Sequence, residues 1–251
     1  MEVLQLSDNF SVTSSFGDYN VKFQNFDIFL NSLDMNKAFL IIDKFIFEFY
    51  HSFFSNIPEN RIIIIDSSEK TKSFEYSSEL LNDLINKKVK KDNILIAIGG
   101  GTLQDITAFV SSIIFRGIKW SFIPTSLLAQ CDSCIGSKTS INFKKFKNVL
   151  GNFYPPQNVI IDDRFINSLP DDELKSGIGE MAHYYYFDNS PFLQSIFFHR
   201  NKHRNRHTKC YCLSMINEIS CCSLYCMTKS MSKLKFISDI FIKFINFNNT
   251  F

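Results

Sequence analysis

No stretch of about 18 uninterrupted apolar residues occurs in the 251-residue sequence, so nothing in it reads as a membrane span. Met1 to Phe10 lacks the basic segment and following apolar run of a secretory leader. A dominant charge is lacking too. The 27 Lys and Arg against 25 Asp and Glu leave a net charge of +2, which favours neither nucleic acid nor an anionic membrane as partner. No internal repeat is found. The seven Cys are an odd number in a chain without a leader, so reduced thiols and a cytoplasmic location are expected. With 45% hydrophobic and 21% charged residues the composition is that of a globular protein rather than a disordered one. The 28 Phe, beside many Ile, Asn and Lys, read as compositional bias rather than a designed aromatic surface.

Short apolar runs alternate with longer amphipathic ones, the pattern of an α/β domain with a mostly parallel sheet. Ala38 to Ile42, Arg61 to Ile65, Ile94 to Ile98, Trp120 to Ile123 and Asn158 to Ile161 read as strands covered on both faces. Phe74 to Lys90 has Leu80, Leu81, Leu84 and Ile85 at helical spacing, with Lys87, Lys88 and Lys90 suiting the dipole at its end. After Ile98, the spacing predicts a second helix whose apolar face is Leu103, Ile106, Phe109, Val110, Ile113 and Ile114. Pro170, Asp171 and Asp172 open a further helix containing Glu180 and His183. Beyond Pro191 the strand–helix rhythm is lost.

Gly99, Gly100 and Gly101 stand between a buried strand and a helix. Without Cβ atoms such a backbone can approach a ligand closely and adopt positive φ, and the helix after it aims free N–H groups at an anion. A pyrophosphate fits that description. The spacing is weaker than a full G-x-G-x-x-G, so structural glycines in a tight turn stay open as the other reading. Asp105 faces the same helix end, where it would otherwise serve as a first-turn acid.

Further motifs come in order. They are Arg116-Gly117, the run Pro124-Thr125-Ser126-Leu127-Leu128-Ala129-Gln130-Cys131-Asp132-Ser133, then Ile135-Gly136-Ser137-Lys138-Thr139, Lys147-Asn148, and Ser176-Gly177-Ile178-Gly179-Glu180. Upstream lie Glu69 and Lys72 in an E-x-x-K spacing. The ordered set, over roughly Ala38 to Phe187, resembles the 3-dehydroquinate synthase family of NAD- and metal-dependent sugar phosphate cyclases.

The resemblance implies a Rossmann-like NAD-binding α/β domain over residues 1–168 and an α-helical metal and substrate domain from 169 to 251, incomplete here. It implies that Glu69, Lys72, Gly100, Gly101, Asp105, Thr125, Ser126, Leu128, Lys138, Lys147, Phe165 and Ser168 hold NAD. Asp132, Lys138, Asn148 and His183 would serve the substrate side, and Arg116 would reach a phosphate across a homodimer interface. Glu180 resembles a ligand to a divalent metal, zinc or cobalt, although a catalytic zinc takes about three protein ligands. The implied reaction converts 3-deoxy-arabino-heptulosonate 7-phosphate to 3-dehydroquinate with loss of phosphate.

Two departures stand out. His183 replaces the family's lysine, so a fixed substrate contact becomes a titratable one, or a second metal ligand on the face of Glu180. The family's N-x-G-H-T-x-G-H segment is absent, and the tail reads as truncated or frame-shifted. A related valiolone- or inosose-type cyclase, an NAD-binding remnant without turnover, and an iron-type alcohol dehydrogenase are the alternatives. His199, His203 and His207 share a helical face, but the flanking Arg200, Lys202, Arg204 and Arg206 argue for a solvated polar segment. Cys131 and Cys134 read as buried free thiols rather than a redox pair.

Overall fold

A computed structural model describes residues 9–177. The strands are β1 (Phe10–Val12), β2 (Tyr19–Phe23), β3 (Ala38–Asp43), β4 (Ile62–Ile65), β5 (Ile94–Gly99), β6 (Lys119–Pro124), β7 (Ile141–Phe143), β8 (Phe146–Leu150) and β9 (Asn158–Ile161). The α-helices α1 (Phe26–Asn31), α2 (Lys44–Phe49), α3 (Phe74–Asn86) and α4 (Gly101–Ile113) accompany them, and a further helix begins at Asp171. Seven strands form one sheet in the order β1-β2-β9-β6-β5-β3-β4, while β7 and β8 pair as a separate hairpin. Only β1 runs antiparallel to its neighbour in the large sheet. The mixed α/β, mostly parallel architecture expected from the strand runs is therefore present.

Alternation along the strands explains the layers. Phe39, Ile41, Leu95, Ala97, Trp120 and Phe122 point to the face covered by α3 and α4. Ala38, Leu40, Ile42, Ile96, Ile98 and Ile123 point to the opposite face, against Phe26, Phe29 and Leu30 of α1 and Ile46 of α2. Every one of these strand side chains is almost wholly buried, and complete burial of a large apolar side chain stabilises a fold by about 1.5–3 kcal/mol.

The connections create one crevice. From β3 the chain crosses through α2 to β4, moving outward, and from β5 it crosses through α4 to β6, moving the other way. The carboxyl ends of the adjacent β3 and β5 are thus a topological switch point, where ligands of open α/β sheets bind. Asp43 ends β3, and Gly99 ends β5.

The structure corrects three expectations. The buried face of α4 is Leu103, Gln104, Ile106, Thr107, Ala108, Val110 and Ser111, and Ile113 is 44% exposed. Small residues at 107, 108 and 111 let the helix lie close to the sheet, rotating Ile113 outward. Helix α3 stops at Asn86, because Lys88 takes φ 61° and Val89 N–H bonds back to Leu84 O, so Lys88 and Lys90 lie past its end. The hairpin β7–β8 and the edge pair β1–β2 carry no apolar run long enough to be read as strands; β8 is mostly exposed.

Candidate cofactor site

The glycine turn lies at the switch point, and each glycine has its own reason. None of the three has positive φ, which corrects one of the two uses expected of them; close approach is the use that remains. A Cβ on Gly99 would lie 2.6 Å from Leu103 Cδ2 and 3.3 Å from Asp43 Cβ, so packing alone demands glycine there. A Cβ on Gly100 or Gly101 would meet nothing nearer than 3.5 Å, from Ser126 Oγ and Ser133 Oγ respectively. The protein's own atoms therefore do not require glycine at 100 and 101. Gly100 caps α4 with no side-chain hydrogen bond, and no acid lies in the helix's first turn. Asp105, read as a first-turn acid in the alternative, lies further along. The helix N-terminus thus presents bare, positively polarised backbone to the crevice.

Two further walls are built by β6 and the segment directly after it. Thr125 is buried and its N–H donates to Gly99 O at 2.9 Å, extending the β5–β6 ladder. Ser126 Oγ accepts from Ala129 N at 3.2 Å, starting a short helical run that ends in a π-turn over Ala129–Ser133. That turn carries Asp132, with Leu128 just before it. Buried Gln130 holds the run down, donating to Pro124 O and to Asp162 O at 3.0 and 2.8 Å.

Beside the crevice a polar network joins α3, α4 and the hairpin. Lys72 Nζ lies 2.7 Å from Asp105 Oδ2, with both side chains less than a fifth exposed. Asp105 Oδ1 accepts from Ser140 N at 2.9 Å. Asn142 N donates to Lys72 O at 2.9 Å and its side chain donates to Glu69 Oε1, also at 2.9 Å. Asn148, at φ 57°, donates its N–H to Asn142 Oδ1 and accepts from Ser140 Oγ. Lys147 Nζ stands 3.7 Å from Glu69 in a largely exposed pair that contributes little by itself. Five of the residues picked from sequence, Glu69, Lys72, Asp105, Lys147 and Asn148, thus share one network.

Burial pushes the Asp105 carboxyl above its ordinary value of 3.8, against the opposing hydrogen bond and charge of Lys72. A carboxyl with a raised folded value stabilises the fold in its protonated form. That contribution is complete below about pH 3.8 and is lost as pH rises through the raised value. Asp105→Asn cannot titrate, so its stability relative to the parent should increase as pH climbs through that window. Urea midpoints at a series of pH values measure this, and a difference that stays flat with pH would contradict it.

Other picked residues fall elsewhere. Lys138 is exposed, on a segment bridged to Phe153. Arg116 is exposed at the far end of α4, about 20 Å from the glycines at 1.5 Å per residue, so within one chain it is remote from the crevice. Phe165, read as a cofactor contact, turns its side chain into the core. Its ring is wholly buried, 4.9 Å from that of Phe26 and 5.1 Å from that of Tyr50. Ser168 Oγ is bound to Tyr50 OH and Phe165 O, inside the same packing unit. Glu180 and His183 lie outside the described residues, as do His199, His203 and His207. Among the described residues no cluster of His, Cys, Asp or Glu could hold a metal, and no helix is long and apolar enough to cross a membrane. Gly177 packs on Leu127, where a Cβ would come within 2.6 Å, so the helical turn over 171–177 lies against the Thr125–Ser133 wall.

Sequence reading missed Asp43. Its Oδ1 caps α2 by accepting from Phe45 N and Ile46 N, and its Cβ faces Gly99. An acid ending a strand just before a helix was the available signal.

The family profile of the 3-dehydroquinate synthase N-terminal region matches residues 62–176. The 3-dehydroquinate synthase of Dictyoglomus turgidum is 41% identical over 159 residues, which is 63% of this chain and 44% of that protein. That of Pelagibacter ubique is 37% identical over 186 residues, 66% of this chain and 50% of the relative. The chain spans about half the length of the curated relatives it matches. In fold it is similar to 2-epi-5-epi-valiolone synthase from Streptomyces hygroscopicus subsp. jinggangensis, solved with NAD+ and Zn2+. The TM-score is 0.67 at 23% identity, over 83% of this chain and 61% of that one. The iron-containing alcohol dehydrogenase of Thermotoga maritima shares the fold more distantly, with a TM-score of 0.55 at 15% identity over 80% and 66% of the two chains.

Proposed function

Given that residues 62–176 belong to the 3-dehydroquinate synthase family, we propose that this chain binds NAD at the β3/β5 switch point and serves a cyclase of that type. The reaction is phosphate elimination from 3-deoxy-arabino-heptulosonate 7-phosphate on the way to 3-dehydroquinate. The observation that carries it is the pair Gly100 and Gly101, left bare although the fold has room for side chains there. Relatives of 41% and 37% identity favour this substrate over that of the valiolone-type synthase, which is 23% identical.

In this reading the N–H groups at the start of α4 hold the pyrophosphate, and Asp43 accepts from ribose hydroxyls. Glu69, Lys72 and Lys147 flank the nucleotide, with Asp105 fixing Lys72. Thr125, Ser126 and Leu128 close the other wall. Asp132, Lys138 and Asn148 serve the substrate, for which an ammonium such as Lys138 offers a compact cation to a phosphate or a developing oxyanion. The dinucleotide, once bound, supplies a hydride acceptor and donor. A divalent metal, zinc or cobalt, would be held from the segment carrying Glu180 and His183. Arg116 would act in a homodimer, and exposed Ile113 and Phe115 beside it offer an apolar contact for the second copy. The enzyme would work in the cytoplasm.

The 251-residue chain, supplied with NAD and zinc or cobalt, should release inorganic phosphate from the heptulosonate phosphate. Saturable NAD binding with no phosphate released would overturn the catalytic part of the reading and leave the cofactor part standing.

A further inference from the structure

Buried Gln104 and half-buried Ser133 form a hydrogen-bonded pair that the cofactor contacts above do not use. Gln104 lies in the first turn of α4, its N–H bound to Gly100 O at 3.1 Å, and it is 5% exposed. Its Nε2 donates to Ser133 O at 2.6 Å, and its Oε1 accepts from Ser133 Oγ at 2.8 Å. Ser133 closes the π-turn, whose bond from Cys134 N to Ala129 O spans 3.1 Å. Single π-turns are rare and frequent at functional sites, and they disturb the ordinary carbonyl pairing of a helix. Here one glutamine amide satisfies both the carbonyl and the hydroxyl of the residue at the turn's end. Ser133 Oγ also stands 3.5 Å from where a Gly101 Cβ would be, so the same residue borders the bare glycine backbone.

We infer that Gln104 is a positioning residue, which fixes the Ala129–Ser133 wall at a set distance from the Gly100–Gly101 backbone and so sets the width of the cofactor crevice. The inference rests on the NAD reading of that crevice. A side chain that filled the same volume without polar atoms would take the amide partner from the carbonyl and the hydroxyl of half-buried Ser133 and release the wall. Sites of this kind tolerate displacements of only about 0.5 Å.

The test is NAD titration by calorimetry on the whole chain, with thermal melts confirming that each variant is folded. Gln104→Met should weaken NAD about 10-fold, the equivalent of the two lost hydrogen bonds. Ser133→Ala should weaken it about 3-fold, and Ser133→Thr, which keeps the hydroxyl, should bind as the parent does. The double variant Gln104→Met/Ser133→Ala should lose no more than Gln104→Met alone, because the pair acts as a unit. Gln104→Met binding within about twofold of the parent would overturn the inference, as would full additivity in the double variant or failure of Ser133→Thr to restore binding. A parent chain without NAD affinity would instead overturn the functional reading beneath it.

Discussion

Gly101→Ala is expected to leave the fold as stable as the parent, or up to about 1 kcal/mol more stable, while weakening NAD about 100-fold. The stability half follows because Gly101 is the first residue of α4 and its missing Cβ would meet only Ser133 Oγ, at an ordinary 3.5 Å. Alanine also restricts the unfolded chain more than glycine does. The binding half follows because a methyl group there would occupy the space through which a phosphate oxygen reaches the helix N–H groups. Gly99→Ala is the control with the opposite signature. Its Cβ would press on Leu103, which is wholly buried, and on Asp43, and such overpacking costs about 1–3 kcal/mol. Thermal melts and NAD titrations of both variants separate the two roles. Equal loss of stability in both would mean that Gly101, like Gly99, is merely structural.

Asp162→Ala is expected to cost about 2–3 kcal/mol, because it leaves the buried Phe26 N–H without its acceptor and removes one of the two carboxylates that hold Arg164. The Asp162 side chain is wholly enclosed at the end of β9. It accepts from Phe26 N at 2.7 Å, at the start of α1, and from the Arg164 backbone and guanidinium at 2.6–3.0 Å. Arg164 also pairs with Asp27 and lies over the rings of Phe26 and Phe53. Hydrogen bonding to Asp162 raises the guanidinium's pKa, as a firmly held cation requires. The Asp162 carbonyl in turn receives Gln130, so the loss should spread to the wall carrying Asp132. Urea unfolding measures it, and a change below about 1 kcal/mol would place the cluster among surface pairs of little worth.

The parallel core was legible in the sequence because its strands are buried on both faces and so appear as unbroken apolar runs, as at Ile62–Ile65 and Ile94–Gly99. The β7–β8 hairpin was not, because its exposed Lys144, Lys145 and Lys147 leave no periodic apolar face. Motif order brought Glu69, Lys72, Asp105 and Asn148 to attention. It could not say that Lys72 pairs with Asp105, since that contact depends on how α3 and α4 pack. Phe165 shows the opposite limit. A motif marks a position without saying whether side chain or backbone matters there, and the phenyl ring packs in the core. Ser133 ends the Pro124–Ser133 run, but no pattern in the sequence pairs it with Gln104, 29 residues away.

The most direct test of the account is calorimetric titration of the 251-residue chain with NAD, run beside Gly101→Ala. A saturable single-site isotherm for the parent, together with its loss in a variant that melts no lower, is the predicted result. No binding by the parent, or equal binding by both proteins, would contradict it.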